Sequence, residues 1–452
     1  MNIYEGEPVR DVFCMDSKSF YASVECVEHG WHPLKTLLVV MSGDRENAGL
    51  VLAASPMAKK VLGISNVSRG FEIPNHPDLK IVPPRMTLYI QYHMRIQEIF
   101  RQYMAEEDIH TYSIDEQFGD LTHSWKLFGN SSAEVGQMIQ REVIEKLGIY
   151  TSLGMGDNPL QAKIAMDIEA KHEESRFAQW HYHDVPEKIW PIKLSDFCGI
   201  GRRMERRYQL MGMQKMGDLA HSDPFVLKNH FGVMGMQHYM HAWGIDRSIL
   251  AEKEVSLSKE KSIGNSQVLP KNYARKGEIL TVVAEICEQV AQRLRKASVL
   301  GGTLHLGIGY AFRGGGKGGF HHQLKILPTN QGRELTRTAS LLFEKYWDQS
   351  EVRNISITVS SLKPAGSLQL NLFEDPQQTI KEDQIDDVIA QIRNRYKFTS
   401  IVRAHSLNEG ATAIKRAAIY STLIRDQDIQ YIHIPLYNRQ SCYYRLSYER
   451  ID

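Results

Sequence analysis

Cysteine is scarce in this 452-residue chain: Cys14, Cys26, Cys198, Cys287 and Cys442 are scattered, with no Cys-x-x-Cys pair. That excludes a disulfide framework and a thiolate zinc site. No apolar run reaches the ~18 residues that cross a bilayer. The opening stretch Met1 to Arg10 is polar and lacks the apolar core of a secretory signal. The expectation is a protein of the reducing cytoplasm with no membrane partner. A strong charge of one sign is lacking too, since the formal net charge is only +1. With hydrophobic residues at 42% and charged residues at 24%, the composition is that of an ordinary globular protein. Its length is too great for one core and predicts about three or four domains.

The near-neutral total hides a division. Residues 1–186 hold 17 Lys+Arg against 26 Asp+Glu, a balance of −9, whereas residues 256–365 hold 16 against 8, a balance of +8. An acidic half suits a cation site and a basic half suits a polyanion. Two segments concentrate the acidic chemistry: Met15-Asp16-Ser17-Lys18-Ser19-Phe20-Tyr21-Ala22-Ser23-Val24-Glu25 and Tyr112-Ser113-Ile114-Asp115-Glu116. Asp16 follows the apolar run 12–15, and Asp115 with Glu116 follows 111–114, so both read as carboxylates at strand ends. Three converging carboxylates repel one another unless a cation neutralises them. Such hard oxygen donors suit Mg²⁺, which takes one or two protein carboxylates and leaves the rest of its shell to substrate phosphates. Two ions side by side make a phosphoryl- or nucleotidyl-transfer site.

Periodicity predicts a helix over 86–104, with Leu88, Tyr92, Ile96 and Ile99 on one face, a second helix over 132–147 and a strand over 150–155. Asn158-Pro159 marks the start of a further helix reaching Lys171. Strands and helices alternating around carboxylates predict a helix-backed sheet of ferredoxin-like type. Glycines and prolines between 42 and 84 predict a small subdomain rich in turns. Beyond Trp190, Gly199-Ile200-Gly201 precedes Arg202, Arg203, Arg206 and Arg207. Backbone amides and arginines there suit a phosphate; a helix-breaking turn beside a solvated arginine face fits the residues equally. A charged linker over 252–261 leads to a basic α/β module with a glycine-rich loop around Lys317, either a phosphate contact or a hairpin tip. Gln369-Leu370-Asn371-Leu372-Phe373 is either an exposed docking peptide or a short core-anchoring strand.

In order, the motifs Asp-x-x-x-Phe-Tyr-Ala-Ser-x-Glu, Tyr-Ser-Ile-Asp-Glu, Gly-x-x-x-Asn-Pro-x-x-Ala-Lys and Gly-Ile-Gly resemble those of the Y-family translesion DNA polymerases. The likeness is to their UmuC-like (ImpB/MucB/SamB-type) branch and runs from about residue 10 to about 420. The resemblance implies an α+β multidomain right-hand polymerase. Its parts are a ferredoxin-like palm (1–22 and 85–186), small fingers (23–84), a helix-hairpin-helix thumb (187–251), an α/β little finger (256–365) and a C-terminal tail with a clamp-binding peptide (366–452). It implies low-fidelity, DNA-directed DNA synthesis past lesions, in an SOS-type repair response. Asp16, Asp115 and Glu116, with the main-chain carbonyl of Ser17, hold two Mg²⁺, for which Mn²⁺ can substitute. Tyr21 is the steric gate against ribonucleotides, and Lys171 and Lys60 bind the dNTP triphosphate. In the fingers Met57 stands where relatives often carry a tyrosine, so Lys59 or Lys60 could serve. Lys163 reads as a helix-surface residue. Gly199, Gly201, Arg202, Arg203 and Lys317 touch primer-template DNA; Gln369, Leu370, Leu372 and Phe373 dock on the sliding clamp, and accessory subunits are further partners.

Two other readings compete. Nucleotide cyclases share a ferredoxin-like palm with paired carboxylates but need neither the hairpin nor the basic module. A non-catalytic, DNA-bound accessory protein of a translesion complex would not need Asp16, Asp115 and Glu116 intact.

Overall fold

The central strand β1 (Val12–Ser17) is an unbroken apolar run up to Asp16, and its first four residues are buried. It therefore has cover on both faces. In this computed structural model, which describes residues 3–43, 45, 49–251, 261–311, 318–365, 376–396 and 398–420, β1 is the middle of a five-stranded sheet. Helix α1 (Phe20–Glu28) follows directly, entered through Ser19 at φ 49°. A three-stranded sheet comes next, from β2 (Leu38–Ser42), β3 (Leu50–Ala54) and, after helix α2 (Pro56–Leu62), β4 (Lys80–Val82). Helix α3 (Met86–Phe100) returns to the first sheet, where β5 (Ile109–Thr111) and β6 (Glu116–Asp120) form a hairpin. Helix α4 (Ser132–Leu147), capped by Ser131, precedes β7 (Thr151–Gly156). Then come α5 (Pro159–Ile164), a π-helical turn over Ala165–Ala170, and β8 (Phe177–Trp180).

The strand order β5-β6-β1-β7-β8 puts β1 antiparallel to both neighbours, with Asp16 opposite Glu116 on one side and Ser152 on the other. Phe13, Tyr89, Ile96, Phe100, Ile139, Val143 and Leu153 fill the core between this sheet and α3 and α4. Two expectations are corrected. Asp115 ends a turn over 112–115 and Glu116 opens β6, because β5 ends at Thr111 and the chain reverses at the carboxylates. The expected palm–fingers boundary at 22/23 falls inside α1, whose buried residues from Phe20 to Cys26 join the core of the first sheet.

Short helices α6 (Val185–Lys188), α7 (Arg202–Gln209), α8 (Met216–Ala220), α9 (Pro224–Phe231) and α10 (Val233–Ala242) make the next unit. Their core, around Leu194, Tyr208, Leu219 and Leu227, is continuous with Leu160, Ala165 and Trp180. A third sheet follows, of order β11-β10-β12-β9, from β9 (Ser262–Tyr273), β10 (Val299–Tyr310), β11 (Gly319–Thr329) and β12 (Val352–Pro364). Helices α11 (Lys276–Lys296) and α12 (Gly332–Tyr346) cover one of its faces.

The last unit is not a free tail throughout. Helices α13 (Pro376–Tyr396) and α14 (Ala413–Tyr420) carry the chain across α11 toward α3. The attachment is polar. Arg393 Nη1 lies 2.8 Å from Glu288, Arg295 pairs with Asp386 at 3.1 Å, and the backbone N–H groups of Thr412 and Ala413 donate to Glu285. Glu285 and Glu288 are buried on α11, so these partners satisfy carboxylates that would otherwise be stranded.

Candidate active site

The sheet register brings Asp16 and Glu116 side by side, and the Ser17 N–H donates to the Asp115 carbonyl at 2.8 Å, tying the turn to β1. His93, buried on α3, holds the same turn by a 2.9 Å bond from Nδ1 to the Ile114 carbonyl. One oxygen each of Asp115 and Glu116 is held at close range, and one of Asp16 has a longer ion pair. Asp115 Oδ1 accepts from Ser113 at 2.6 Å, Glu116 Oε1 lies 2.6 Å from Lys163 Nζ, and Asp16 Oδ2 lies 3.6 Å from Lys171 Nζ. Among the described residues the second oxygen of each has no recorded hydrogen bond or ion pair. Burial pushes the Asp16 carboxyl up to about 7; Lys171 opposes the rise, while Asp115 and Glu116 add to it. Negative charge is therefore crowded here and calls for a cation.

Helix α5 and its π-helical turn supply the lysines. Lys163 Nζ is 3.0 Å from Asp167 Oδ2, and Asp167 Oδ1 is 2.8 Å from Lys171 Nζ. Burial favours the neutral acid of Asp167, yet the two lysines outweigh it and hold the carboxyl below its usual range. The ladder Glu116–Lys163–Asp167–Lys171–Asp16 thus connects two of the three carboxylates. It depends on close approach: a Cβ on Gly154 of β7 would stand 2.2 Å from the Ala162 carbonyl oxygen and 2.3 Å from Met166 N.

Tyr21, on the first turn of α1, stacks on Tyr89 with ring centroids 4.3 Å apart and planes 14° from parallel. Tyr89 donates to Glu25 at 2.7 Å, and the Glu25 carboxylate also takes two bonds from Arg85 Nε and one from its Nη2. The Tyr21 ring is thereby braced by a partner that is itself held by the Glu25 carboxylate.

Known proteins can be set beside this geometry. The impB/mucB/samB family model matches residues 15–167, its C-terminal domain residues 260–372, and the family's HHH motif residues 182–213. The chain belongs to the impB/mucB/samB family. It is 39% identical over 418 residues to a protein called putative UV-damage repair protein UvrX of Bacillus subtilis (strain 168), covering 92% of this chain and 98% of that one. It is 36% identical over 414 residues to a DNA polymerase IV 2 of the same organism, covering 90% and 97%. A solved Y-family DNA polymerase chimera, Dbh-Dpo4(243-245)-Dbh, superposes with a TM-score of 0.61 at 21% identity, covering 78% of this chain and 99% of that one. The fold is that of the Y-family.

Other expected residues of this family member are placed unevenly. Both finger lysines are exposed on α2, about 100° apart around the helix. Lys59 Nζ bonds Ser19 Oγ at 3.2 Å; burial lowers its ammonium, Asp16 and Asp115 oppose that, and Lys18 and Lys171 add to it. Gly199, at φ 94°, and Gly201 are exposed, and a side chain at either position would meet nothing within 4 Å. Arg202 and Arg203 are exposed at the start of α7. Lys317 and Gln369, Leu370, Leu372 and Phe373 lie outside the described residues.

Sequence reasoning missed Lys163 as a site residue, along with Asp167, His93 and the Glu25–Arg85–Tyr89 brace. The four-residue spacing of Lys163, Asp167 and Lys171 was the available signal. Lys163 is corrected from the helix surface to the interior, with its side chain only 12% exposed.

Proposed function

We infer that this protein is a DNA-directed DNA polymerase of the Y-family that copies past damaged template bases by nucleotidyl transfer. The carrying observation is the placing of Asp16 opposite Glu116 and beside the turn of Asp115, each carboxylate keeping one oxygen with no hydrogen bond or ion pair among the described residues. That donor set fits a hard divalent cation. Among the described residues no group of three or more acidic, histidine or cysteine side chains is gathered closely enough to hold a metal ion by itself, so substrate phosphates would have to complete the shell. Asp16, Asp115, Glu116 and the Ser17 carbonyl would hold two Mg²⁺ or Mn²⁺, which lower the pKa of the primer 3′-hydroxyl and neutralise the triphosphate and departing pyrophosphate.

The chain's own residues supply the rest. Lys171 offers its ammonium to the triphosphate from the palm and Lys59 from the fingers. The braced Tyr21 ring excludes a 2′-hydroxyl. Residues 1–28 and 85–186 make the palm, 29–84 the fingers, 187–251 the thumb and 256–365 the little finger. Gly199, Gly201, Arg202, Arg203 and Lys317 contact duplex phosphates, giving salt-sensitive binding without sequence preference. Gln369, Leu370, Leu372 and Phe373 dock on the sliding clamp, and the work belongs in the cytoplasm as part of DNA damage repair. Among the described residues no helix is long and apolar enough to cross a membrane.

Primer extension on undamaged and lesion-bearing templates tests this reading. Incorporation with Mg²⁺ or Mn²⁺ that continues past a lesion supports it. DNA binding without incorporation of any dNTP would instead favour an accessory role and remove the polymerase assignment.

A further inference from the structure

Lys163 is the one cation in direct contact with Glu116 among the described residues. Its Nζ meets Oε1 at 2.6 Å, and Cys14 Sγ meets the same oxygen at 3.2 Å. The thiol is the donor of that contact. Both contacts fall on one oxygen, and Oε2 is left without a recorded partner. Lys163 and Glu116 are 12% and 10% exposed at their side chains, so this pair is not a solvated surface bridge.

We propose that Lys163 is a positioning residue for catalysis: it clamps Glu116 Oε1 from inside the palm and so aims Oε2 at the cation site. Asp167 couples the clamp to Lys171. A buried ion pair is by itself weak support for stability, so packing alone gives little reason for a lysine in this place. The helix is also shaped around it. The π-helical turn over Ala165–Ala170 holds Asp167 between Lys163 and Lys171, and such turns are concentrated at functional sites. Gly154 and Gly156 remove the side chains that would hold α5 away from β7. Partners behind a metal ligand fix its orientation, and losing one typically costs ~10–100-fold in metal affinity or activity.

This rests on the polymerase reading, and the test separates the two. Mn²⁺ binding is titrated by electron paramagnetic resonance in a complex with dideoxy-terminated primer, template and dNTP, where no turnover occurs. Steady-state extension is measured alongside. Lys163→Met should weaken Mn²⁺ binding and lower kcat by ~10–100-fold while leaving the KM for dNTP within about twofold. Lys163→Arg should recover much of the loss. In a Glu116→Gln background Lys163→Met should add little, because the clamp acts through that carboxylate. Should Lys163→Met fail to fold, Cys14→Ala removes the other donor to Oε1 and must give the same pattern at smaller amplitude. Unchanged Mn²⁺ affinity in the folded variant, or losses that add fully with Glu116→Gln, overturn the clamp. Failure of the unmodified protein to extend primers tells against the polymerase reading instead.

Discussion

At the scale of single residues, function depends on which oxygen of each carboxylate is occupied. Asp115 is fixed by Ser113 through Oδ1 and by the turn bonded to His93 through the Ile114 carbonyl, so its loss removes a proposed ligand without emptying the core. Asp115→Ala should cut extension by on the order of 10³-fold or more, several kcal/mol of lost charge stabilisation, while DNA affinity in a gel-shift assay stays within a few-fold. Tyr21→Ala should raise ribonucleotide incorporation relative to deoxyribonucleotide, read as a ratio of kcat/KM values; an unchanged ratio removes the gate assignment. The proposed roles of Asp16 and Tyr21 come from an ordered motif in the sequence, which singles out both positions. Lys163 was not legible there, since lysine and aspartate four residues apart also describe a solvated helix face, and only the approach of β6 turns that face inward. Lys59 and Lys60 are adjacent, and which one faces the site depends on where α2 is capped by Ser55.

Among the elements, helices over 132–147 and near 86–104 were legible because their apolar positions repeat at helical period. The β5–β6 hairpin was not, because 111–114 is as apolar as a strand while its turn is set by Ser113 and His93, which are remote from any hydrophobic pattern. The seat of α5 on β7 makes a sharp prediction. Gly154→Ala forces a methyl group into the Ala162 carbonyl and should destabilise by ~1–3 kcal/mol, read as a lowered thermal midpoint. Extension should fall further than stability, since the lysine ladder moves with the helix. In α10, burial and His241 hold His238 down to about 4, against a hydrogen bond to the Gly199 backbone. The unfolded chain takes up a proton below about 6.5 that the folded chain refuses, so stability falls as pH drops from 6.5 toward 4. The full loss is about 3 kcal/mol. His238→Gln should flatten thermal midpoints across that window; an equally steep fall would place the titration elsewhere.

For the whole molecule, opposite charge balances along the chain predict how it meets DNA. Burial lowers the Arg353 guanidinium on β12, and the positive charge of Arg69, whose backbone bridges to Leu50 of β3, lowers it further, so the two like charges lie within electrostatic reach of each other. Such a pair is relieved by a phosphate between them. Arg353→Ala should weaken DNA binding uniformly across sequences and reduce the slope of log affinity against log salt by ~1. The order of domains was legible from composition shifts and from motifs in sequence order. The attachment of residues 376–420 to α11 was not, because the groups that make it, Glu285, Glu288, Asp386 and Arg393, are charged and read as surface.

That attachment has a genetic consequence. A premature stop codon just after Pro364 would spare every proposed catalytic and DNA-contacting residue, yet it would strip Glu285 and Glu288 of their partners and leave two buried carboxylates on α11 bare. Alleles shortened there should fail through a poorly folded little finger rather than through lost chemistry. Loss-of-function mutations in such a gene should therefore extend well past its last active-site codon.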